Sequence, residues 1–258
     1  MSTFLFEGII FGPVKSRRLG TSLGVNLLPE CNKLCNFNCI YCECGWNKIN
    51  NKGSRFHSRH EVREALESKL IEMKNAGDYL DTITFSGNGE PSMHPEFAGI
   101  IDDTIELRNK YFPDANVSVL SNGTLVHRSQ VFNALRKVDR AILKLDSAID
   151  ETARLMDNPQ FPYSVEKIIE HFKAFNGDMT LQTMFLRGVY NGNKIDNTTQ
   201  HEVEQWLAAV QKIKPKEIMI YTIDRDTPAT GLAKVPVAEL EEIAKQARAL
   251  GYTVQVSG

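Results

Sequence analysis

Apolar and polar positions follow two alternating periods along this chain. Short β-branched or apolar runs are each followed by a longer stretch in which apolar residues recur every three or four positions. The runs predict strands and the stretches predict helices. The predicted strands are Ser22–Leu28, Thr82–Ser86, Asn116–Leu120, Arg140–Leu145, Met179–Phe185 and Glu217–Ile223. The predicted helices are 58–75, 94–111, 128–138, 164–175, 200–213 and 237–250.

Six strand–helix pairs in succession favour a parallel sheet with right-handed crossovers. A closed barrel needs about eight such pairs, so we expect an open, partial β/α barrel, with a doubly wound sheet as the alternative. Two further runs, Phe4–Ile10 and Tyr252–Val256, are expected to add strands at the edges. The predicted organisation is one domain over 1–258, with an N-terminal extension (1–20), a barrel core (21–224) and a C-terminal helix and strand (225–258).

The carboxyl ends of the predicted strands carry most of the chemically distinctive residues. The loop after the first strand holds all five cysteines, and the loop after the second reads SGNGEPSMHP over 86–95. The third strand ends in Ser121-Asn122 and the fourth in Lys144-Leu145-Asp146. Because parallel α/β folds place their chemistry at this edge of the sheet, these loops predict one functional site.

Composition is that of an ordinary soluble protein. Apolar residues make up 42% of the chain and charged residues 24%. No apolar run approaches the ~18 residues that span a bilayer. The first residues lack the early positive charge of a secretory signal, so a cytoplasmic location is expected.

Positive charge is concentrated near the beginning of the chain. Residues 1–60 carry eight Lys or Arg and three Glu, a net charge of +5 on a protein whose net charge is −2. We expect these cations to form a solvated surface; a basic rim that binds an anionic substrate is the alternative. The cations are Lys15, Arg17, Arg18, Lys33, Lys48, Lys52, Arg55 and Arg59.

The cysteines indicate a metal centre rather than disulfides. All five lie between Cys31 and Cys44, whereas a disulfide framework would distribute them along the chain. Cys35, Cys39 and Cys42 place three thiolates within eight residues. A cubane cluster ordinarily takes four, so three would leave one iron open. Zinc bound with the help of His57 and His60 is the alternative.

Two motifs resemble those of the radical SAM superfamily. Cys35-Asn-Phe-Asn-Cys39-Ile-Tyr41-Cys42 matches its cysteine motif, and Gly87-Asn88-Gly89-Glu90-Pro91 resembles its Gly-Gly-Glu-Pro element. The segments 12–20, 224–225 and 256–258 resemble a bacterial branch related to wyosine synthases and molybdenum-cofactor cyclases.

The resemblance implies a reaction. Cys35, Cys39 and Cys42 would hold a 4Fe–4S cluster whose open iron chelates S-adenosylmethionine. Reductive cleavage of that cofactor would give a 5′-deoxyadenosyl radical that abstracts hydrogen from a substrate. The expected partner is an external electron donor that is flavodoxin- or ferredoxin-like.

The resemblance also assigns residues to S-adenosylmethionine. The glycine loop would meet the methionine amino group, and the strand ends would bind the carboxylate and the ribose. For Asn122, the alternative is an ordinary Asn-Gly turn. For Lys144 and Asp146, the alternative is an ion pair that faces inward. Cys31 and Cys44 are expected to lie near the cluster without binding it. The cofactor-binding residues are Gly87, Asn88, Gly89, Glu90, Pro91, Ser121, Asn122, Lys144, Asp146, Gln182 and Tyr41.

Three functions remain open from the sequence. The first is a radical SAM enzyme acting on a tRNA base or a nucleotide, which the related families and the basic segment favour. The second is a radical SAM enzyme acting on a peptide or a small metabolite. The third is a non-enzymatic iron–sulfur electron carrier, against which the glycine loop argues because a carrier needs no cofactor loop.

Overall fold

The computed structural model describes residues 4–47 and 55–258. They form two compact units. The amino-terminal unit comprises Leu5–Cys35, Asn47 and residues 55–142, and the carboxy-terminal unit comprises Phe4, Asn36–Trp46 and Leu143–Gly258. The organisation expected for 1–258 as a single domain stays a prediction.

The strands of the main sheet follow one another in chain order, β1-β2-β3-β4-β5-β6-β9-β11. β2 to β4 pair in parallel, as do β6, β9 and β11, whereas β1 runs antiparallel to β2. A second sheet of three strands has the order β10-β7-β8. The strands are β1 (Ile10–Ser16), β2 (Gly20–Val25), β3 (Thr82–Phe85), β4 (Asn116–Ser121), β5 (Arg140–Lys144), β6 (Thr180–Met184), β7 (Leu186–Tyr190), β8 (Asn193–Asp196), β9 (Glu217–Tyr221), β10 (Leu232–Lys234) and β11 (Val254–Ser257).

Seven α-helices connect and flank these strands in the described residues. Recognisable end signals set some of their limits: Ser58 and Glu61 form a capping box at the start of α1, and Thr199 accepts a hydrogen bond from the Glu202 N–H at the start of α6. The helices are α1 (Arg59–Ala76), α2 (Phe97–Tyr111), α3 (Ser129–Leu135), α4 (Asp150–Asp157), α5 (Val165–Lys173), α6 (Gln200–Ile213) and α7 (Val237–Ala249).

The predicted fold class, an open and mostly parallel β/α barrel with extra terminal strands, is confirmed. All six predicted strands and all six predicted helices are present, with ends displaced by a few residues. The doubly wound alternative is wrong, because that fold requires a reversal in strand order and none occurs in the main sheet.

The predicted N-terminal strand Phe4–Ile10 is wrong in its bounds, because β1 begins at Ile10. The strand contains Pro13, which has no N–H to donate, and its register shifts between Phe11 and Val14. An edge strand such as β1 tolerates a proline. The prediction relied on the apolar run Phe4–Ile10 alone and therefore placed the strand too early. The predicted run Tyr252–Val256 forms β11 as expected, from Val254.

Four elements were not predicted: α4, β7, β8 and β10. The hairpin of β7 and β8 does carry a sequence signal, because Asn191 and Gly192 form a turn with positive φ angles of 49° and 78°. Helix α4 has only eight residues and β10 only three, too few for a periodic pattern to stand out.

Candidate active site

The cysteine loop follows the carboxyl end of β2, as the alternation of elements predicted. Cys39 is buried, Cys35 and Cys42 are half-buried, and Cys31 is exposed. Cys35 belongs to the amino-terminal unit, whereas Cys39 and Cys42 belong to the carboxy-terminal unit. The surroundings of these residues are therefore described for each unit separately.

In the amino-terminal unit, the glycine loop lies directly against the residue that precedes Cys35. The Leu34 N–H donates to the Asn88 carbonyl at 2.8 Å, and the Glu90 N–H donates to the Leu34 carbonyl at 3.1 Å. Gly89 has a φ of 138°, and a Cβ atom placed there would lie 1.8 Å from the Leu34 oxygen. A glycine is required at this position because any side chain would displace the backbone next to Cys35.

Asn88, the residue that departs from the plain Gly-Gly-Glu-Pro element, is fully buried and anchors the loop. Its side-chain amide donates to the carbonyl groups of Phe6 and Pro29, both at 3.0 Å. Its side-chain oxygen accepts from the Phe6 N–H at 2.8 Å. Asn88 therefore ties the glycine loop to the N-terminal segment in this structure, and a role in cofactor binding stays a prediction.

Glu90 connects the glycine loop to the end of β4. Its side chain is buried, and Oε1 accepts hydrogen bonds from the Ser92 N–H at 3.0 Å, the Ser92 hydroxyl and the Ser121 hydroxyl at 2.7 Å. Its other oxygen, Oε2, accepts from the Asn122 N–H at 2.7 Å. Burial raises the pKa of Glu90, while these hydrogen bonds oppose the shift.

Ser121 and Asn122 lie together at the carboxyl end of β4, as predicted. The Asn122 oxygen accepts from the N–H of Thr124 at 3.0 Å and from its hydroxyl at 2.7 Å, which is the turn geometry expected of an Asn-Gly sequence. The Asn122 amide nitrogen also lies 3.8 Å from the Cys35 sulfur. The structure thus brings the glycine loop, the end of β4 and Cys35 together.

In the carboxy-terminal unit, Lys144 is buried between two carboxylates. It forms ion pairs with Asp146 and Asp157, and the hydroxyl of Tyr41 donates to Asp146. The Lys144 ammonium also lies 5.0 Å from the centroid of the Tyr41 ring and 5.7 Å from that of Phe37. The inward ion pair considered for Lys144 and Asp146 is therefore present, and Asp157 is a third member that the sequence did not reveal.

Charge and burial oppose each other in this cluster. Burial lowers the pKa of Lys144, but Asp146 and Asp157 outweigh it, so the pKa stays well above its usual value and the ammonium remains charged. Burial raises the pKa of Asp157 to about 7 against the opposing effect of Lys144. Burial and the nearby Asp146 also raise the pKa of Tyr41, so its hydroxyl remains a donor.

Gln182 on β6 differs from the other predicted cofactor-binding residues of this unit. Among the described residues, it alone of that set has a buried side-chain donor without a hydrogen-bond partner. It is 92% buried, and its Nε2 atom has no hydrogen-bond partner there. Its neighbour Thr183 faces helix α6, where its hydroxyl oxygen accepts from the Trp206 indole N–H at 2.9 Å. A buried amide donor without a partner usually indicates a missing ligand or water.

The two histidines of the zinc alternative each lie near a carboxylate in the amino-terminal unit. His60 lies exposed on α1, where its Nε2 atom is 3.3 Å from Glu64, and His57 is buried with its Nε2 atom 3.6 Å from Glu30. Within residues 4–47 and 55–258, no three His, Cys, Asp or Glu side chains are grouped as a ready metal site. The assignment of the thiolates therefore depends on their spacing and on the chain's relatives.

The alternative of a basic rim is wrong for Arg17 and Arg18. Both lie in the turn between β1 and β2, at the amino end of β2, whereas the cysteine loop follows the carboxyl end of that strand. Arg55 is paired with Glu61, and Arg59 is paired with Asp103 at 2.7 Å. Lys48 and Lys52 lie outside the described residues. No helix among the described residues is both long and apolar enough to cross a membrane.

The model for the radical SAM superfamily matches residues 31–200 of this chain. A protein of Brachyspira hyodysenteriae named GTPase Obg is 31% identical over 242 residues, covering 92% of this chain and 33% of its own length. A UPF0026 protein of Helicobacter pylori is 29% identical, covering 84% of this chain and 67% of its own length. This chain therefore spans about a third of the first relative and two thirds of the second.

Solved structures agree with the fold. A radical SAM methyltransferase from Sphaerobacter thermophilus has a TM-score of 0.67 at 15% identity, covering 92% of this chain and 65% of its own. SuiB of Streptococcus suis, solved with bound S-adenosylmethionine, has a TM-score of 0.61 at 14% identity, covering 88% of this chain and 49% of its own.

Proposed function

This chain belongs to the radical SAM superfamily, and we propose that Cys35, Cys39 and Cys42 hold its 4Fe–4S cluster while the loop Gly87–Pro91 receives S-adenosylmethionine. Members of the superfamily are enzymes that use this cluster and this cofactor. The chain is accordingly an enzyme that needs an external reductant and a substrate. A flavodoxin- or ferredoxin-like protein is the proposed reductant.

One observation carries the proposal: the glycine loop is hydrogen-bonded to the backbone immediately before Cys35. Leu34 pairs with Gly89, so the proposed cofactor loop lies beside Cys35, the first proposed cluster ligand. A turn of purely structural purpose would not need to meet the cysteine motif. The three thiolates are also the soft donors that iron–sulfur clusters require, so the donor set fits the group.

The surrounding residues have distinct proposed roles toward the bound cofactor. Glu90 Oε2 accepts one hydrogen bond from the described residues, so it retains a lone pair for the methionine amino group. Gln182 Nε2 is a buried donor for an acceptor atom of the cofactor. Asp146 and Lys144 would meet the ribose hydroxyls and the carboxylate, and the persistent charge on Lys144 suits that contact.

When bound, the cluster supplies the electron that cleaves the sulfonium bond of S-adenosylmethionine. The protein's own contribution is to position the cofactor and to exclude water from it. Glu90 in the amino-terminal unit is buried, and so are Asp146 and Gln182 in the carboxy-terminal unit. This supports the role, since buried polar groups interact more strongly than they would in water.

The substrate is the finer part of the proposal. The related families suggest a tRNA base or a nucleotide as the substrate. Arg17 and Arg18 lie at the amino end of β2, away from the cysteine loop, which removes part of the electrostatic argument for an anionic substrate. The pairing of Arg55 and Arg59 with carboxylates removes more of it. That observation favours a second candidate, hydrogen abstraction from a peptide or a small metabolite. Salt-dependent binding of bulk tRNA would support the first candidate, and its absence would favour the second.

Replacement of the cysteines tests the cluster assignment. Anaerobically reconstituted protein should contain about four irons and four sulfides per chain. Cys35→Ala, Cys39→Ala and Cys42→Ala should each abolish the cluster, whereas Cys31→Ala and Cys44→Ala should retain it. Zinc in place of iron, or cluster loss on replacing Cys31 or Cys44, would contradict the assignment.

Replacement of Glu90 tests the cofactor site separately. Glu90→Ala should weaken binding of S-adenosylmethionine while the iron content stays unchanged. The measurement is the change in the reduced cluster's EPR spectrum as the cofactor is titrated. An unchanged titration in a folded, cluster-loaded variant would remove Glu90 from the site.

A further inference from the structure

A short segment at the end of α4 runs alongside the cysteine loop in the carboxy-terminal unit. Residues 36–40 and 156–160 are joined by backbone hydrogen bonds, and Phe37 and Pro159 form an antiparallel bridge. Because these bonds involve the residues on both sides of Cys39, they fix the backbone that presents its sulfur. The bonds run from the Asn38 N–H to the carbonyls of Asp157 (3.0 Å) and Asn158 (3.1 Å), from the Ile40 N–H to the Met156 carbonyl (3.0 Å), and from the Gln160 N–H to the Asn36 carbonyl (3.0 Å).

Side chains reinforce this backbone pairing. The Cys39 sulfur lies 3.8 Å from Oδ1 of Asp157, which is itself paired with Lys144. The Phe37 ring is fully buried and packs edge-on against Tyr163, with centroids 5.4 Å apart. Phe37 thus fills the core beside the segment that follows α4.

The pairing depends on a tight reversal at Asn158. This residue ends α4 in the left-handed region, with φ 42° and ψ 63°. The reversal turns the chain so that Pro159 and Gln160 meet Phe37 and Asn36. Asn and Gly adopt this conformation readily, whereas β-branched residues are strained in it.

We propose that residues 156–160 are a template that holds the cysteine loop in its ligating conformation before the cluster is loaded. Asn158 is the positioning residue that shapes the template, and Asp157 contacts Cys39 from it. The inference rests on the proposed function in one respect, that Cys39 is a cluster ligand. The pairing involves only residues of this chain, so it can be tested in the cluster-free protein.

The test compares two substitutions at Asn158 with a matched one elsewhere. Asn158→Val strains the reversal, and Asn158→Gly preserves it. Lys214→Val is the control, because Lys214 ends α6 in the same left-handed region, with φ 56°, and is exposed. The first readout is amide hydrogen exchange of Asn38 and Ile40 in the cluster-free protein, and the second is the rate at which a chelator removes iron from the loaded protein.

Asn158→Val should accelerate exchange at Asn38 and Ile40 by about 5- to 30-fold, because local opening relieves the strain. It should also accelerate iron loss. Asn158→Gly should stay near wild type, and Lys214→Val should lower overall stability without a selective effect on those two amides. Unchanged exchange in Asn158→Val, or equal acceleration in Lys214→Val, would overturn the template.

The two claims fail differently. If Asn158→Val selectively exposes the amides but wild-type protein never binds iron, the proposed function fails, while the pairing of 156–160 with residues 36–40 stands. If Asn158→Val does not fold, Asn158→Ala applies a smaller strain at the same place and should give a smaller acceleration of the same two amides. Uniform exchange changes in Asn158→Ala would again contradict the template.

Discussion

Gly89 offers a direct perturbation of the contact between the glycine loop and the cysteine loop. In Gly89→Ala, the new methyl group would start 1.8 Å from the Leu34 oxygen and 2.9 Å from Cδ1 of Leu28. Relief requires separating the two loops, which breaks the hydrogen bonds that Leu34 makes with Asn88 and Glu90. Two lost hydrogen bonds at about 1 kcal/mol each and a backbone strain of about 1–3 kcal/mol predict a destabilisation of about 3–5 kcal/mol.

Gly77→Ala is the matched control for this prediction. Gly77 ends α1 with φ 75°, and a Cβ atom there would have no neighbour within 4 Å. That variant therefore measures left-handed strain alone, about 1–2 kcal/mol. Urea unfolding of the cluster-free proteins gives both values, and amide exchange at Leu34 and Glu90 reports the local separation. Equal destabilisation of the two variants, with Leu34 still protected in Gly89→Ala, would refute the reasoning.

Two further predictions concern stability. Arg59 and Arg63 lower the pKa of Asp103. The stability that Asp103 contributes is therefore present above the carboxyl's unfolded pKa and is lost as the pH falls through the lower folded value. Asp103→Asn should lower the free energy of unfolding by about 1 kcal/mol at neutral pH, a modest figure because Arg59 is half-exposed, and should flatten the acid side of the stability–pH curve. Trp206→Phe removes a buried indole whose N–H donates to Thr183, so we expect a loss of about 2–3 kcal/mol in urea unfolding, and a loss below about 0.5 kcal/mol would show that the bond contributes little.

The strands and the loops after them could be predicted because their signals are local. β3 is buried at every position, and its sequence is a short apolar and β-branched run. The spacing of the cysteines by itself indicates a metal centre. The rule that chemistry gathers at carboxyl ends of parallel strands then joined Cys35 to Asn122, residues far apart in the chain that lie 3.8 Å apart in the structure.

The partners of Lys144 could be predicted only in part. Asp146 is two residues away on the same side of an extended strand, so the pair was visible in the sequence. Asp157 ends a helix too short to detect by periodicity, and its contacts with Lys144 and Cys39 depend on the tertiary fold. The template formed by 156–160 was hidden for the same reason.

The position of Arg17 and Arg18 depends on the direction of β2. Their charge was counted with that of the cysteine loop because the two segments are close in sequence. Both arginines precede β2, however, so a strand of six residues, about 20 Å long, separates them from its carboxyl end. Strand direction, which the sequence already indicated, decides this point and net charge does not.

The central claim is that this chain cleaves S-adenosylmethionine reductively at a cluster held by its three motif cysteines. The most direct measurement incubates reconstituted, reduced protein with S-adenosylmethionine and quantifies the products, with Cys42→Ala as the control. The account predicts 5′-deoxyadenosine and methionine from the wild-type protein, at least slowly without substrate, and neither from the variant. A cluster-loaded, reduced wild-type protein that binds the cofactor yet never yields 5′-deoxyadenosine would contradict it.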